Sequence, residues 1–167
     1  ERLTSIEKSF FVDLPNSQQF LSRLEGLVLC SDDRHSEGIA ILEHVPVDDE
    51  IQEALLTAYE ATEQYEKALA ICKNLTRRCK LLCRLERFED VKGELESDNQ
   101  TCERQLLLGV AEWHLNMRQS AYDHFIMSAK MNPTYATAFT WLGKYYAELP
   151  GESERAEKCF KKALSLD

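Results

Sequence analysis

Two Leu-Gly pairs, Leu108-Gly109 and Leu142-Gly143, lie 34 residues apart. Each is followed by a small residue and then an aromatic one: Ala121 and Phe125 after the first, Ala156 and Phe160 after the second. Glycine within a helix costs about 1 kcal/mol relative to alanine. Its recurrence in phase on helical sequence therefore marks a place where two backbones come close, with the aromatic ring filling the space beside them. The pattern predicts a tandem array of helical hairpins, none of which can bury its apolar stripe without a neighbour.

These positions fit the tetratricopeptide repeat, a pair of antiparallel helices of about 34 residues. In the last unit Leu142, Gly143 and Tyr146 lie on the first helix, with Ala156, Phe160 and Ala163 on the second. The unit before it keeps phase through Leu108, Gly109, Ala121 and Phe125, and Asn132-Pro133 ends it. Upstream, Leu55, Tyr59 and Ala68 occupy matching positions, and Gln64-Tyr65-Glu66-Lys67-Ala68 resembles the start of a second helix. Taking Gly38, Ala68, Val91, Ala121 and Ala156 as equivalent gives spacings of 30, 23, 30 and 35. The expected organisation is a second helix of a truncated repeat over 1–15, then hairpins over 16–46, 47–76, 77–100, 101–133 and 134–167. The third of these is short and divergent, and the whole is read as one continuous solenoid segment. Leu3, Ile6, Phe10, Phe11 and Leu14 carry the first helix, and Pro15 stops it. No stretch alternates with period two for long enough to argue for a sheet. The fold expected is all-α, a right-handed superhelix of stacked, degenerate hairpins, and the segment reads as a piece of a longer array.

Composition narrows the function. The chain has 167 residues and a net charge of −9, a poor basis for a nucleic-acid binder, which wants a basic face. No run is long enough to span a bilayer. Six cysteines lie within apolar helical patterns and read as reduced, buried small residues. Cys79 and Cys83 are one helical turn apart, with Cys72, His35 and His44 elsewhere. Structural zinc wants two tight pairs, so no metal site is expected. No phosphate loop follows a strand, and the four histidines share no spacing with Ser or Asp. The expectation is a non-enzyme with no cofactor, no metal and no small-molecule substrate. The basic run Lys73, Arg77, Arg78, Lys80, Arg84 and Arg87 reads as a solvated helix face, so direct nucleic-acid binding is not expected.

What remains is the concave surface lined by the first helices. The matching positions are Glu53, Thr57 and Glu60; Glu103, Leu106, Val110, Trp113 and His114; and Thr137, Thr140, Lys144 and Glu148. Leu106 and Trp113 are apolar there and read either as interface anchors or as residues covered by a neighbouring helix. A carboxylate clamp of the chaperone-adaptor kind would need several basic residues on these helices, and Lys144 alone does not make one.

The last repeat also carries the doubled Tyr145-Tyr146, an extra loop residue around Pro150-Gly151, and Arg155-Ala156 followed by Cys159-Phe160. That combination resembles a repeat in the large tetratricopeptide subunit of the superkiller (Ski) complex. The resemblance implies a non-catalytic, cytoplasmic or partly nuclear scaffold. Such a scaffold holds an RNA helicase and WD40-repeat proteins together for exosome-mediated 3′-to-5′ mRNA decay. The alternative is an adaptor whose groove takes a short linear motif of another partner.

Overall fold

The computed structural model describes residues 17–96 and 100–166. The helix expected over 1–15 lies outside them, as does part of the turn before Thr101. Ten helices, and no strand, occur among the described residues. They alternate as first and second helices of five hairpins: α1 (Ser17–Ser31) with α2 (His35–Leu42), α3 (Asp49–Ala61) with α4 (Tyr65–Ile71), and α5 (Leu75–Arg84) with α6 (Phe88–Leu95). Then follow α7 (Cys102–His114) with α8 (Arg118–Met131), and α9 (Ala136–Ala147) with α10 (Ser153–Leu164). The chain divides into two compact units, Glu1–Lys73 and Asn74–Asp167.

Three first helices begin at a side-chain cap. Asp48 accepts from the Ile51 amide at 2.9 Å, Asn74 from Arg77 at 3.0 Å and Thr101 from Arg104 at 3.2 Å, each satisfying an otherwise orphaned donor. Second helices start differently. Asp33, Glu63, Glu86 and Asn116 sit at φ between 57° and 64° in the turns of the first four hairpins. The next amide in each turn reaches back across the helix end: Arg34 to Leu29, Gln64 to Tyr59, Arg87 to Leu82 and Met117 to Glu112, at 2.8–2.9 Å. This is a Schellman closure, and it fixes the reversal that lays each second helix on its first. The fifth hairpin has a longer turn, 148–152, in which Gly151 takes φ 83°.

Gly38, Ala68, Val91, Ala121 and Ala156 each occupy the fourth residue of a second helix, and all are buried. In the first unit a Cβ on Gly26 would lie 2.6 Å from Leu42, and one on Gly38 would strike Cys30 Sγ. Ile51, Leu55, Leu56, Ala58 and Tyr59 form the inner stripe of α3. In the second unit a Cβ on Gly109 would lie 2.7 Å from the Phe125 ring, and one on Gly143 2.6 Å from the Phe160 ring. Phe125 is fully buried, in a cluster with Leu106, Trp113, Ala121, Ala138 and Leu142. Between α7 and α8 lies a buried polar group that the apolar pattern did not announce. His124 Nδ1 is 2.7 Å from Gln105 Oε1, and its Nε2 is 3.4 Å from Glu112 Oε2. Ser128, also buried, donates to the Cys102 carbonyl at 2.7 Å.

Candidate interaction surface

The first-helix positions expected to line a groove separate by burial. On α3, Glu53 and Thr57 are exposed and Glu60 is half-buried. On α7, Leu106 is 4% exposed and Trp113 9%, so of the two readings open for them, displayed anchor or residue covered by a neighbouring helix, both match the second. Trp113 meets Trp141 edge-on at 6.0 Å, Tyr145 at 6.4 Å and Phe125 at 6.3 Å. The Arg118 guanidinium lies 3.7 Å above its ring and donates to the Trp113 carbonyl at 2.8 Å. A large aromatic side chain on α7 is thus covered by the next hairpin's first helix and by the arginine that opens α8. Val110 packs against the same cluster.

The remaining positions stay at the surface. His114 is exposed and stacks on Phe88 with ring centroids 4.3 Å apart and planes at 2°. It also meets the edge of Trp141 at 6.2 Å. Lys144 is exposed, with its ammonium 4.1 Å over the Trp141 ring. A cation over a tryptophan face is held by the ring quadrupole. Thr140 is half-buried and bonds back to the Ala136 carbonyl at 3.3 Å. Thr137 is exposed, Glu103 pairs with Lys80 at 2.5 Å, and Glu148 lies 3.5 Å from Arg118. Phe88, Met117 and Arg118 join this surface without having been read as part of it. The Trp141/Lys144 spacing of one helical turn was the local signal available.

The basic run is largely spoken for by carboxylates. Lys73 pairs with Asp49 at 3.8 Å, Arg78 with Glu94 at 2.8 Å and Arg87 with Asp90 at 2.6 Å. Together with Lys80 and Glu103, these pairs compete with any phosphate. Burial pushes the Cys79 thiol up to about 12, with Glu94 adding to it, and the Cys83 thiol to about 11. Both are therefore protonated small residues near neutral pH rather than nucleophiles or ready metal ligands. Among the described residues no three His, Cys, Asp or Glu side chains gather to hold a metal. No described helix is long and apolar enough to cross a membrane.

No family model matches the chain. Over 87% of its length it is 25% identical to superkiller complex protein 3 of Homo sapiens, of which it covers 11%. It is 38% identical over 65 residues to tetratricopeptide repeat protein 37 of Xenopus laevis, and 40% identical over 52 residues to superkiller protein 3 of Schizosaccharomyces pombe. Each of these two matches takes in 4% of the relative. The chain thus spans about a tenth or less of the curated relatives it matches. Among solved structures, MamA of Desulfovibrio magneticus RS-1 superposes with a TM-score of 0.68 at 14% identity, covering 89% of this chain and 94% of that one. YrrB, described as a tetratricopeptide-repeat protein with an unusual peptide-binding site, gives 0.59 at 18%, covering 87% of this chain and 84% of that one. At such identities these likenesses show the fold alone.

Helical hairpins in tandem, close-packed through small residues, define the tetratricopeptide-repeat fold, and this chain has it. In sequence it resembles superkiller complex protein 3.

Proposed function

We propose that the chain is part of a superkiller-type scaffold, which holds an RNA helicase and WD40-repeat proteins together for exosome-mediated 3′-to-5′ decay of cytoplasmic mRNA. One observation carries the reading: the similarity to human superkiller complex protein 3 runs through 87% of the chain and so through both units. Repeat arrays of this kind bind partners with surfaces whose spacing the stacked hairpins set. That suits assembly of several proteins and asks no chemistry of the chain. Affinity purification from cytoplasmic extract, with partners identified by mass spectrometry, tests it. Stoichiometric recovery of a helicase and a WD40 protein is the expected result. Recovery of other proteins without those two refutes it.

A second reading, an adaptor for a short linear motif, is favoured by the exposed His114 and Lys144 beside the half-buried Trp141. An apolar seat flanked by an imidazole and an ammonium group suits a peptide better than a broad, flat interface does.

A further inference from the structure

We propose that the surface formed by Lys92, His114, Met117, Trp141 and Lys144 docks a short acidic segment of a partner protein. The proposal rests on the reading of the chain as a protein-interaction scaffold. A closed circuit of contacts shows that these side chains share one surface of the second unit. Phe88 stacks on His114, His114 meets Trp141, and Trp141 meets Trp113. Arg118 covers Trp113, and Lys92 Nζ reaches the Sδ of the adjoining Met117 at 3.8 Å. Lys92 is one helical turn from Phe88 on α6, which closes the circuit. His114, Met117 and Lys144 are exposed, while Lys92 and Trp141 are half-buried.

Charge selects the occupant. On a chain of net charge −9, Arg78, Lys80, Arg87 and Arg118 are each met by a carboxylate. Lys92 and Lys144 are not: among the described residues they rest on a thioether and an indole. Neither ammonium is neutralised by a carboxylate among the described residues, so a carboxylate brought to them meets an uncompensated charge. Met117 and Trp141 beside them offer a seat for an apolar side chain. The matching ligand alternates carboxylates with aliphatic or aromatic residues. Single-stranded RNA also combines rings with negative charge. Its phosphate at every nucleotide wants a continuous basic track, whereas this surface offers the separate ammonium groups of Lys92 and Lys144, and the neighbouring Arg87 and Arg118 are already met by carboxylates.

Fluorescence anisotropy on the full chain tests this with a fluorescein-labelled decapeptide alternating Glu and Leu, compared with its Gln-Leu counterpart. The Glu peptide is expected to bind about ten-fold tighter or more. Lys92→Glu with Lys144→Glu should abolish that preference, and the milder Lys92→Gln with Lys144→Gln should reduce it while helicity and the urea midpoint stay unchanged. Equal affinity for the two peptides, indifference to either pair of substitutions, or selective binding of oligouridine overturns the proposal. Recovery of helicase and WD40 partners is scored separately. If the complex assembles while peptide selectivity is absent, only this inference falls. If selectivity holds without those partners, the superkiller reading falls instead.

Discussion

Alanine at Gly109 and alanine at Gly143 are the same substitution at the same repeat position, yet the structure predicts different costs. In a helix either change gains about 1 kcal/mol of propensity. Against that stands the space. A Cβ at Gly109 would lie 2.7 and 2.8 Å from the Phe125 ring and 3.1 Å from the Ala121 carbonyl oxygen. Phe125 cannot retreat, being fully buried and stacked on Trp141 at 5.5 Å, and the carbonyl is backbone. Overpacking of a fixed core costs about 1–3 kcal/mol; with a buried ring and a backbone oxygen both in the way the upper part of that range, about 2–3 kcal/mol, applies, so Gly109→Ala should lose roughly 1–2 kcal/mol net. At Gly143 all three nearest atoms belong to the Phe160 ring, at 2.6–2.8 Å, and that ring is half-buried and able to swing outward. There the gain and the loss should cancel to within about 0.5 kcal/mol. Urea unfolding followed by tryptophan emission is the assay. Both tryptophans of the chain, Trp113 and Trp141, lie in this unit's cluster, so the signal reports the unit concerned. With a slope of about 1–3 kcal/mol/M, the midpoint for Gly109→Ala should fall by roughly 0.5–1 M while that for Gly143→Ala stays put. Phe125→Leu should restore part of the Gly109→Ala loss, a coupling of about 1 kcal/mol in a double-mutant cycle. Equal losses at the two glycines, or a Gly109→Ala chain more stable than its parent, would refute the reasoning.

Other perturbations separate packing from surface. Glu63→Gly and Glu86→Gly should each stabilise by about 0.5–1 kcal/mol, since relief of the left-handed backbone exceeds glycine's entropic cost; calorimetry showing a loss would contradict the turn geometry. Trp113→Ala should cost about 3–5 kcal/mol as a core truncation, whereas His114→Ala and Lys144→Ala should stay within about 0.5 kcal/mol of the parent in the same urea assay. Glu43 accepts hydrogen bonds from Lys67 and Tyr59, both at 2.7–2.8 Å, and these, Lys67 foremost, hold its carboxyl below the ordinary range. Its contribution is present above the unfolded-state value and lost as pH falls through the folded one, so Glu43→Gln should flatten the acid limb of the stability profile. Burial first, then Glu43, raises the Tyr59 phenol to about 12. Tyr59→Phe should therefore remove stability that the parent loses between about pH 10 and about 12; an unchanged alkaline limb would show that the phenol contributes nothing.

The hairpin frame was legible because close approach of two helices restricts residue type sharply. Gly109 and Gly143 face Phe125 and Phe160 across a gap that admits no side chain, and such a pair leaves a signature in letters. The turns were less legible. Asp33, Glu63 and Glu86 adopt the conformation that glycine would announce, because the Schellman hydrogen bonds hold the backbone there whatever side chain it carries. Trp113 was ambiguous for a different reason: a helical pattern tells which face of α7 it lies on, but not that Trp141, Tyr145 and Arg118 cover that face. Lys92, Met117 and Lys144 come from three hairpins, and no periodicity joins them. Gln105 and Glu112 are buried at positions where apolar residues would be expected, with His124 bonded to Gln105 and 3.4 Å from Glu112, and pattern alone gives no warning of that.

The degenerate middle of the array varies at one recurring pair of positions. Gly26 and Gly38, Leu56 and Ala68, Cys79 and Val91, and Gly109 and Ala121 are each separated by twelve residues, so Leu56 and Cys79 stand where the close-packing glycine stands in other hairpins. Four residues beyond the second member of each pair come Leu42, Cys72, Leu95 and Phe125, all buried. The pairs therefore read Gly with Leu, Leu with Cys, Cys with Leu, and Gly with Phe. Where Leu56 takes the place of glycine, the smaller Cys72 takes the place of Leu or Phe, so one exchange offsets the other; Cys79 adds only a small side chain and keeps Leu95. Packing of this kind tolerates exchange as long as total volume is kept. A consensus written in residue types scores each exchange as a mismatch, although the helices pack alike. The same rule accounts for Cys72 and Cys79 as space-filling residues of intermediate size, with no metal or disulfide required. Drift at these positions leaves the frame standing, and any specificity for a partner has to come from surface residues such as Lys92 and Lys144, which the packing rule does not constrain.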